Sequence, residues 1–138
     1  MLEAFMHINW LAVSIAVVAH FVLGGVWFGG LFSRQYAQAL GIADQPPQRP
    51  KPIILLGPLV CGALTIVTTA LLLRALKIQT YPDALILGTV VGVGYLCAMT
   101  TNIAINPLFP RPLHYALVNA PMFLIGSLVS CTILTAMP

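Results

Sequence analysis

Charge is what this sequence lacks most. Only 7% of its 138 residues are charged, and the acidic ones are just Glu3, Asp44 and Asp83. A soluble domain carries about 25% charged residues, so the composition excludes a soluble fold. The three acids are far apart and lie outside the long apolar stretches, which excludes a paired-carboxylate catalytic site. The excess of six Lys and Arg over three acids is too small to indicate a nucleic-acid partner.

Cysteine is also scarce. There are three, Cys61, Cys97 and Cys131, each inside an apolar stretch and none in a C-x-x-C pair. This pattern indicates neither a disulfide framework nor a zinc site, so we predict no metal centre and small apolar roles for the thiols. The sequence also places no nucleophile beside a candidate base, and we therefore expect that the protein is not an enzyme.

Long apolar runs make up most of the chain. Four of them contain almost no charge: Ile8–Leu31, Ile53–Leu73, Leu85–Ile105 and Leu113–Met137. Each reaches or exceeds the roughly 20 residues that a helix needs to cross about 30 Å of hydrocarbon. We predict an all-α membrane protein, a single domain of residues 1–138 whose four transmembrane helices form an up-down antiparallel bundle in contact with lipid.

The longest predicted connection, residues 33–52, is rich in proline. Alternating prolines remove backbone donors and favour an extended, stiff chain, so we interpret this segment as a solvated linker at the membrane surface. Pro47 and Pro50 also satisfy the P-x-x-P pattern of peptide ligands, an alternative that the composition leaves open. The other two connections are predicted to be tight turns that end one helix and start the next.

The basic residues are distributed unevenly between the two sides of the predicted bundle. Four lie in the first and third loops and two on the side of both termini: Arg34, Arg49, Lys51 and Arg111 against Arg74 and Lys77. By the positive-inside rule we predict that the first and third loops are cytoplasmic and that the termini are outside.

Small residues recur at helical spacing inside the runs. Gly25 and Gly29 form a G-x-x-x-G step, Gly88 and Gly92 form another, and Gly126 belongs to a similar stripe in the last run. Helices in lipid associate where small residues let their backbones approach, so we predict that these glycines pack helices together. The stripe of the third run continues through larger side chains, and we expect all of it to face the bundle interior. It consists of Gly88, Gly92, Tyr95, Met99, Asn102 and Asn106.

Several polar groups are predicted to share one depth in the membrane. At about 1.5 Å of rise per residue, Trp27, Asn102 and Asn119 fall on the same side of the midplane. An amide in hydrocarbon must be hydrogen-bonded, so we expect Asn102 and Asn119 to face protein and to bond each other or a backbone carbonyl. This cluster is either interhelical packing or the lining of a ligand pocket.

His20 is the one ionisable side chain near the middle of the first run. The simplest interpretation is a neutral imidazole that bonds a neighbouring helix. A proton-relay role usually requires an intramembrane acid, and the sequence has none. A third interpretation is axial ligation of a haem or chlorin, since Ala16 and His20 resemble the A-x-x-x-H step of bacterial antenna polypeptides. We predict no cofactor, except a haem or chlorin if His20 is an axial ligand.

Three short motifs carry a resemblance to a known family. They are Ile8-Asn9-Trp10-Leu11-Ala12-Val13, then Gly24-Gly25-Val26-Trp27-Phe28, then residues 102–111 followed by an Asn-bearing last run. In these motifs the chain resembles a domain-of-unknown-function family of small four-span bacterial membrane proteins, and the similarity covers nearly the whole chain. The resemblance implies this topology and a place in the bacterial inner membrane, and it implies no activity.

With so few residues outside the runs, any chemistry must take place within the bundle or at its rim. We expect a non-enzymatic accessory or scaffold subunit that packs against a larger membrane complex or its own copies. The alternative is a protein that binds or transports a small molecule or ion in a pocket near Trp27, Asn102 and Asn119. A further alternative is a pigment- or haem-binding subunit of a photosynthetic or respiratory complex, through His20.

Overall fold

The computed structural model describes residues 2–46 and 51–137, and all regular structure in these two ranges is helical. The α-helices are, in chain order, α1 Leu2–Met6, α2 Trp10–Val26, α3 Ser33–Ala39, α4 Pro52–Ala75, α5 Tyr81–Val91, α6 Ala98–Ala104 and α7 Pro112–Ala136. Two π-helical segments, whose turns are one residue wider than α-helical turns, follow α2 and α5. They are π1 Trp27–Leu31 and π2 Gly92–Cys97.

Four of these helical stretches are long and apolar enough to cross a membrane. They are Trp10–Leu31, Pro52–Ala75, Tyr81–Ala104 and Pro112–Ala136, called spans 1 to 4 below. The predicted fold class, an all-α protein with four transmembrane helices, is therefore confirmed. The P-x-x-P match at Pro47 and Pro50 lies outside the described residues.

Short polar and proline signals set where the spans begin. The side chain of Asn9 accepts hydrogen bonds from the N–H groups of Leu11 and Ala12 and so caps α2. Thr80 caps α5 in the same way, through the N–H of Asp83. Helices α4 and α7 each start with a proline, whose missing N–H costs nothing in a first turn.

Helix α7 is the centre of the bundle. It contacts each of the other three spans and has the largest buried share of the four. The Ser127 hydroxyl of α7 donates to the Gly88 carbonyl of α5 at 2.9 Å, so a hydrogen bond as well as packing joins span 3 to span 4. The extensive contacts of span 3 are with α7, and its opposite side faces outward.

A core of buried apolar side chains lies where the start of α2 meets the ends of α4 and α7. Its buried side chains include Ala12, Val13, Ala16, Ile66, Ala70, Leu73, Cys131 and Leu134. The first turns of α4 are exposed by contrast, from Ile53 to Leu56. The helices therefore pack together at the end of the bundle that contains the start of α2 and the ends of α4 and α7, which is called the packed end below.

Aromatic side chains fill the opposite end of the bundle. The ring of Tyr115 lies between those of Tyr36 and Phe109, with centroids 5.9 and 4.7 Å away. Gly41 then turns the chain with a φ of +70°, and a β-carbon at this position would lie 3.0 Å from Pro110. The first loop is thereby held against the third.

Candidate functional site

The predicted polar cluster does not form as a unit. The indole N–H of Trp27 donates to the Val118 carbonyl at 2.9 Å, which joins span 1 to span 4. Asn119 is 3% exposed, and its amide donates to the Tyr115 carbonyl of its own helix at 2.7 Å. This bond of Asn119 is the predicted alternative, a backbone carbonyl, whereas Asn102 lies on the exposed side of α6 and the two amides do not bond each other.

The π2 segment explains why Asn102 faces outward. An α-helix returns to one face every three or four residues, and a π turn inserts one more. Gly92 packs against α7, and the next inward side chain with a polar contact is Cys97, whose thiol donates to the Ala120 carbonyl at 3.1 Å. The inward face continues through the partly buried Thr101 and the buried Ala104. The predicted stripe is therefore wrong beyond Gly92, and its remaining members face away from the bundle: Tyr95, Met99, Asn102 and Asn106.

The predicted packing glycines divide into two groups. Gly88 and Gly92 are buried, and a β-carbon on Gly92 would lie only 2.8 Å from Leu124 of α7. Close backbone approach of this kind is what small residues permit in lipid. Gly25 and Gly29 are exposed, with no atom within 4 Å of an added β-carbon, so they do not pack helices within this chain.

His20 lies where three helices meet. The Cδ2 edge of its ring faces Gly62 of α4, and the edge with Cε1 and Nδ1 faces Gly126 of α7. Nδ1 is buried close to the Gly126 backbone and makes no well-formed hydrogen bond with any described residue. Because the ring is packed between two backbones, the geometry favours the structural interpretation of His20 over a ring that faces a macrocycle.

Span 4 contains Pro121, which has no N–H to donate to the preceding turn of α7. The hydrogen bonds of Trp27 and Cys97 end on the carbonyls of Val118 and Ala120, which both lie in the turn that precedes this proline. Trp27 starts π1 and Cys97 ends π2, so both wide turns direct a donor at the same stretch of α7. This junction ties spans 1 and 3 to span 4.

The candidate binding site is a cavity at the packed end of the bundle. It has a volume of about 360 Å³ and lies between the start of α2, the ends of α4 and α7, and the loop that follows α4. Its walls are mostly apolar: Ile8, Ala12, Ala70, Leu73, Ile78, Leu134 and Met137. Four polar side chains complete the lining: Asn9, Arg74, Gln79 and Thr135.

Arg74 gives the cavity its charge. It is half-buried in the last turn of α4, and no carboxylate among the described residues pairs with its guanidinium. The Thr135 hydroxyl is buried and also has no hydrogen-bond partner in the described part of the chain. Asn9 is engaged by contrast, since its amide donates to the Met137 carbonyl at 3.2 Å. The cavity is thus lined by the Arg74 guanidinium, which has no carboxylate partner, and the Thr135 hydroxyl, which has no hydrogen-bond partner, among the described residues.

A more open recess lies on the other side of Arg74. It has a volume of about 440 Å³, and its lining includes Glu3, His7 and Lys77 together with Arg74. Arg74 therefore stands between the recess and the inner cavity. Even with His7 neutral, the two basic side chains outweigh the single carboxylate, so the entrance to the cavity is cationic.

This arrangement can bind an anion that carries an apolar chain. A guanidinium presents parallel N–H donors that match a carboxylate or phosphate group. The cavity, about 360 Å³ in volume, is at the small end of ligand sites, which span about 300–1,000 Å³. A site of this size suits one short apolar chain better than the two tails of a membrane lipid.

No curated protein and no solved structure matches this chain. A family model does match, over residues 11–135, and it describes proteins of unknown function. The matched region includes nearly all of the four spans, which confirms the resemblance predicted from the motifs. The chain belongs to the family of proteins of unknown function termed DUF1761.

Proposed function

We propose that this membrane protein binds a single-chain anionic amphiphile, a carboxylate or phosphate with one apolar tail, in the Arg74 cavity, and that it does so without catalysis. The observation that carries the proposal is the half-buried Arg74, which has no acidic partner among the described residues and is set in a mostly apolar wall. A cation removed from water is costly to leave unpaired, and an anionic head group would supply the missing partner.

The depth of the lining residues suggests how such a ligand would lie. Arg74 is in the last turn of α4 and Gln79 is in the following loop, so both are at the mouth of the cavity. Ala70 lies one turn deeper on α4, and Ala12 and Leu134 belong to the buried core beside it. The head group would bond Arg74 and Gln79, and the tail would contact the three deeper side chains.

The test compares decanoate with decanol, which share a chain length and differ in head-group charge. Purified protein in discs of zwitterionic lipid should gain thermal stability from decanoate and much less from decanol. Arg74→Gln should weaken decanoate binding by about 10- to 100-fold, because a hydrogen bond to a charged group is lost.

The matched control is Arg34→Gln, which removes the same charge from an exposed position at the other end of the bundle. This variant should bind decanoate as the unmodified protein does. Equal stabilisation by decanoate and decanol, or equal affinity in the two arginine variants, would contradict the proposal.

The orientation of the protein in the membrane decides from which side the ligand enters the cavity. The positive-inside argument puts Arg74 and Lys77 on the non-cytoplasmic side, and we propose that the cavity opens there in a bacterial inner membrane. A cysteine introduced at the exposed Gln45, in a background without other cysteines, should then react with an impermeant maleimide only after lysis. Reaction in intact cells would place the cavity on the cytoplasmic side.

A second candidate function is that of an accessory or scaffold subunit of a larger membrane complex. Gly25 and Gly29 favour it, because they are spaced by four, face outward and leave open space where another helix could approach. On this proposal, Gly29→Leu should abolish co-migration with a larger complex on a native gel after mild extraction. Gly57→Leu is the control, since Gly57 also has open space beside it but belongs to span 2.

A further inference from the structure

Threonine hydroxyls inside the spans mostly bond their own helices. A hydroxyl on a helix finds a partner in the carbonyl four residues earlier. Six threonines make this bond: Thr65, Thr68, Thr69, Thr89, Thr101 and Thr132. Thr135, in the last turn of α7, does not make it, and its buried hydroxyl oxygen has no hydrogen-bond partner among the described residues. A buried donor without a partner destabilises a protein, so this hydroxyl calls for an explanation.

Thr135 lines the Arg74 cavity. The residue as a whole is partly exposed, although its hydroxyl oxygen is not. Threonine in a helix has more than one allowed rotamer, and one rotation about the Cα–Cβ bond places the hydroxyl where the methyl group was. An oxygen atom of a ligand in the cavity can therefore accept the hydrogen bond for which the described chain supplies no acceptor.

Arg74 and Thr135 lie at a similar depth on two neighbouring helices. Helices α4 and α7 both end at the cavity, and each of these residues is the last but one of its helix. The residues just before them, Leu73 and Leu134, are buried in the same core. A ligand whose head group bonds Arg74 would therefore pass Thr135 with the carbons nearest to that head group.

We propose that the ligand of the Arg74 cavity is a 3-hydroxy acid with one apolar tail, and that Thr135 selects it. This inference rests on the proposed function, since it takes the carboxylate to be held by Arg74. Packed helices lie about 8–10 Å apart, so the group that meets α7 must be offset from the carboxylate that meets α4, which favours the third carbon over the second. A ligand hydroxyl at that carbon accepts the hydrogen bond from Thr135.

Three attachment points follow from this arrangement. The carboxylate bonds Arg74, the 3-hydroxyl bonds Thr135, and the tail contacts the apolar wall. A ligand held at three points can satisfy all of them in only one of its two mirror-image forms. The cavity should therefore distinguish the enantiomers of a 3-hydroxy acid.

The test compares decanoate with the two enantiomers of 3-hydroxydecanoate, by calorimetric titration of the protein in discs of zwitterionic lipid, with empty discs as the blank. One enantiomer should bind about three- to tenfold more tightly than decanoate, the gain expected from one hydrogen bond, and the other should not. Both enantiomers partition alike into lipid, so a difference between them comes from the protein. 10-Hydroxydecanoate, with its hydroxyl at the far end of the tail, should bind no more tightly than decanoate.

Thr135→Val removes the hydroxyl and keeps the shape of the side chain. This variant should bind decanoate as the unmodified protein does, and it should bind the two enantiomers equally. Without ligand it should be more stable to heat, because a buried hydroxyl that lacks a partner is replaced by a methyl group. A hydroxyl that only held the helix together would give no such gain.

Thr132→Val is the matched control. It makes the same change one turn earlier on α7, at an exposed threonine that bonds the Leu128 carbonyl at 2.8 Å and is not part of the cavity lining. The preference for one enantiomer should remain in this variant.

Arg74→Gln separates this proposal from the one on which it rests. If decanoate binding requires Arg74 but the enantiomers bind equally, or their difference survives Thr135→Val, the cavity binds an anion and selection by Thr135 is overturned. If Arg74→Gln changes the binding of none of these acids, both proposals are overturned.

Discussion

The imidazole of His20 occupies the space of the β-carbon that Gly126 lacks. A β-carbon at Gly126 would lie 2.6 Å from both Nδ1 and Cε1 of the ring, well inside any normal contact distance. The ring has little room to retreat, because a β-carbon on Gly62 would lie 3.3 Å from its opposite edge. Glycines on two helices are therefore matched to one histidine on a third.

This relationship predicts that Gly126→Ala destabilises the protein. Overpacking a close contact costs about 1–3 kcal/mol, and the expected loss at this site is in that range. Unfolding by heat or denaturant in detergent measures it. Gly126→Ala combined with His20→Ala should lose much less than the sum of the two single changes, because removing the ring makes room for the new methyl group.

Gly25→Ala is the control for that experiment. The site is open, and alanine favours a helix over glycine by roughly 0.5–1 kcal/mol, so this change should be neutral or slightly stabilising. Equal losses at the two glycines would mean that the contact with His20 has no energetic importance.

Trp27→Phe should destabilise the bundle through the loss of one interhelical hydrogen bond. The indole donates to the Val118 carbonyl across the helix interface, and such bonds in membranes contribute about 0.6–2 kcal/mol. Thermal unfolding followed by circular dichroism measures the change without relying on tryptophan emission. Trp10→Phe should have little effect, since Trp10 is 50% exposed and its indole makes no hydrogen bond with the described residues.

The four spans could be predicted because each is a continuous apolar run that is long enough to cross a bilayer as a helix. The orientation of side chains within span 3 could not be predicted in the same way. Helical periodicity assumes a constant number of residues per turn, and π2 breaks that assumption between Gly92 and Cys97. Gly88 and Gly92 follow the expected face, whereas beyond Gly92 the inward side chains are Cys97, Thr101 and Ala104 in place of the predicted Tyr95, Met99 and Asn102.

The candidate site could not be predicted from the sequence for a different reason. Arg74 and Thr135 lie at the ends of spans 2 and 4, Asn9 caps the start of span 1, and only the packing of helix ends brings them to one cavity. From the sequence alone, Arg74 is a charge that sets orientation and Asn9 is part of a family motif. The one signal available beforehand was a basic side chain in the last turn of a span, which membrane proteins also use simply to reach the interface.

Alkaline pH should destabilise the end of the bundle that contains Tyr36. Burial, together with the charge and hydrogen bond of the neighbouring Tyr115, raises the pKa of Tyr36 from 10.0 to about 12. Between these two values the unfolded chain releases the phenol proton while the folded protein keeps it. The stabilisation is therefore complete below pH 10 and is lost as the pH rises towards 12.

Thermal unfolding across this pH range tests the prediction. Tyr36→Phe should flatten the fall in stability, because phenylalanine has no proton to release, and Tyr81→Phe at an exposed position should leave the fall unchanged. If Tyr36→Phe does not change how steeply stability falls with pH, the loss of stability at alkaline pH comes from other groups.

Lys77→Gly should make the protein more stable, although it removes a side chain. Lys77 lies just past the cap of α4 and has a φ of 55°, and the Ile78 N–H donates back to the Leu73 carbonyl at 2.9 Å, the pattern of a helix end that favours glycine. A side chain in this left-handed region costs about 1–2 kcal/mol, whereas the greater freedom of glycine in the unfolded chain costs about 0.5–1 kcal/mol. The expected net gain is about 0.5–1 kcal/mol, measured by thermal unfolding.

Gly41→Ala is the reverse experiment at the other end of the bundle, where glycine already holds the left-handed position and an added β-carbon would press on Pro110. It should destabilise the protein. Stabilisation by Gly41→Ala, or a loss with Lys77→Gly, would show that backbone strain does not control these helix ends. If Lys77→Gly instead weakens decanoate binding while it raises stability, Lys77 keeps its strained conformation to hold its charge at the entrance of the Arg74 cavity.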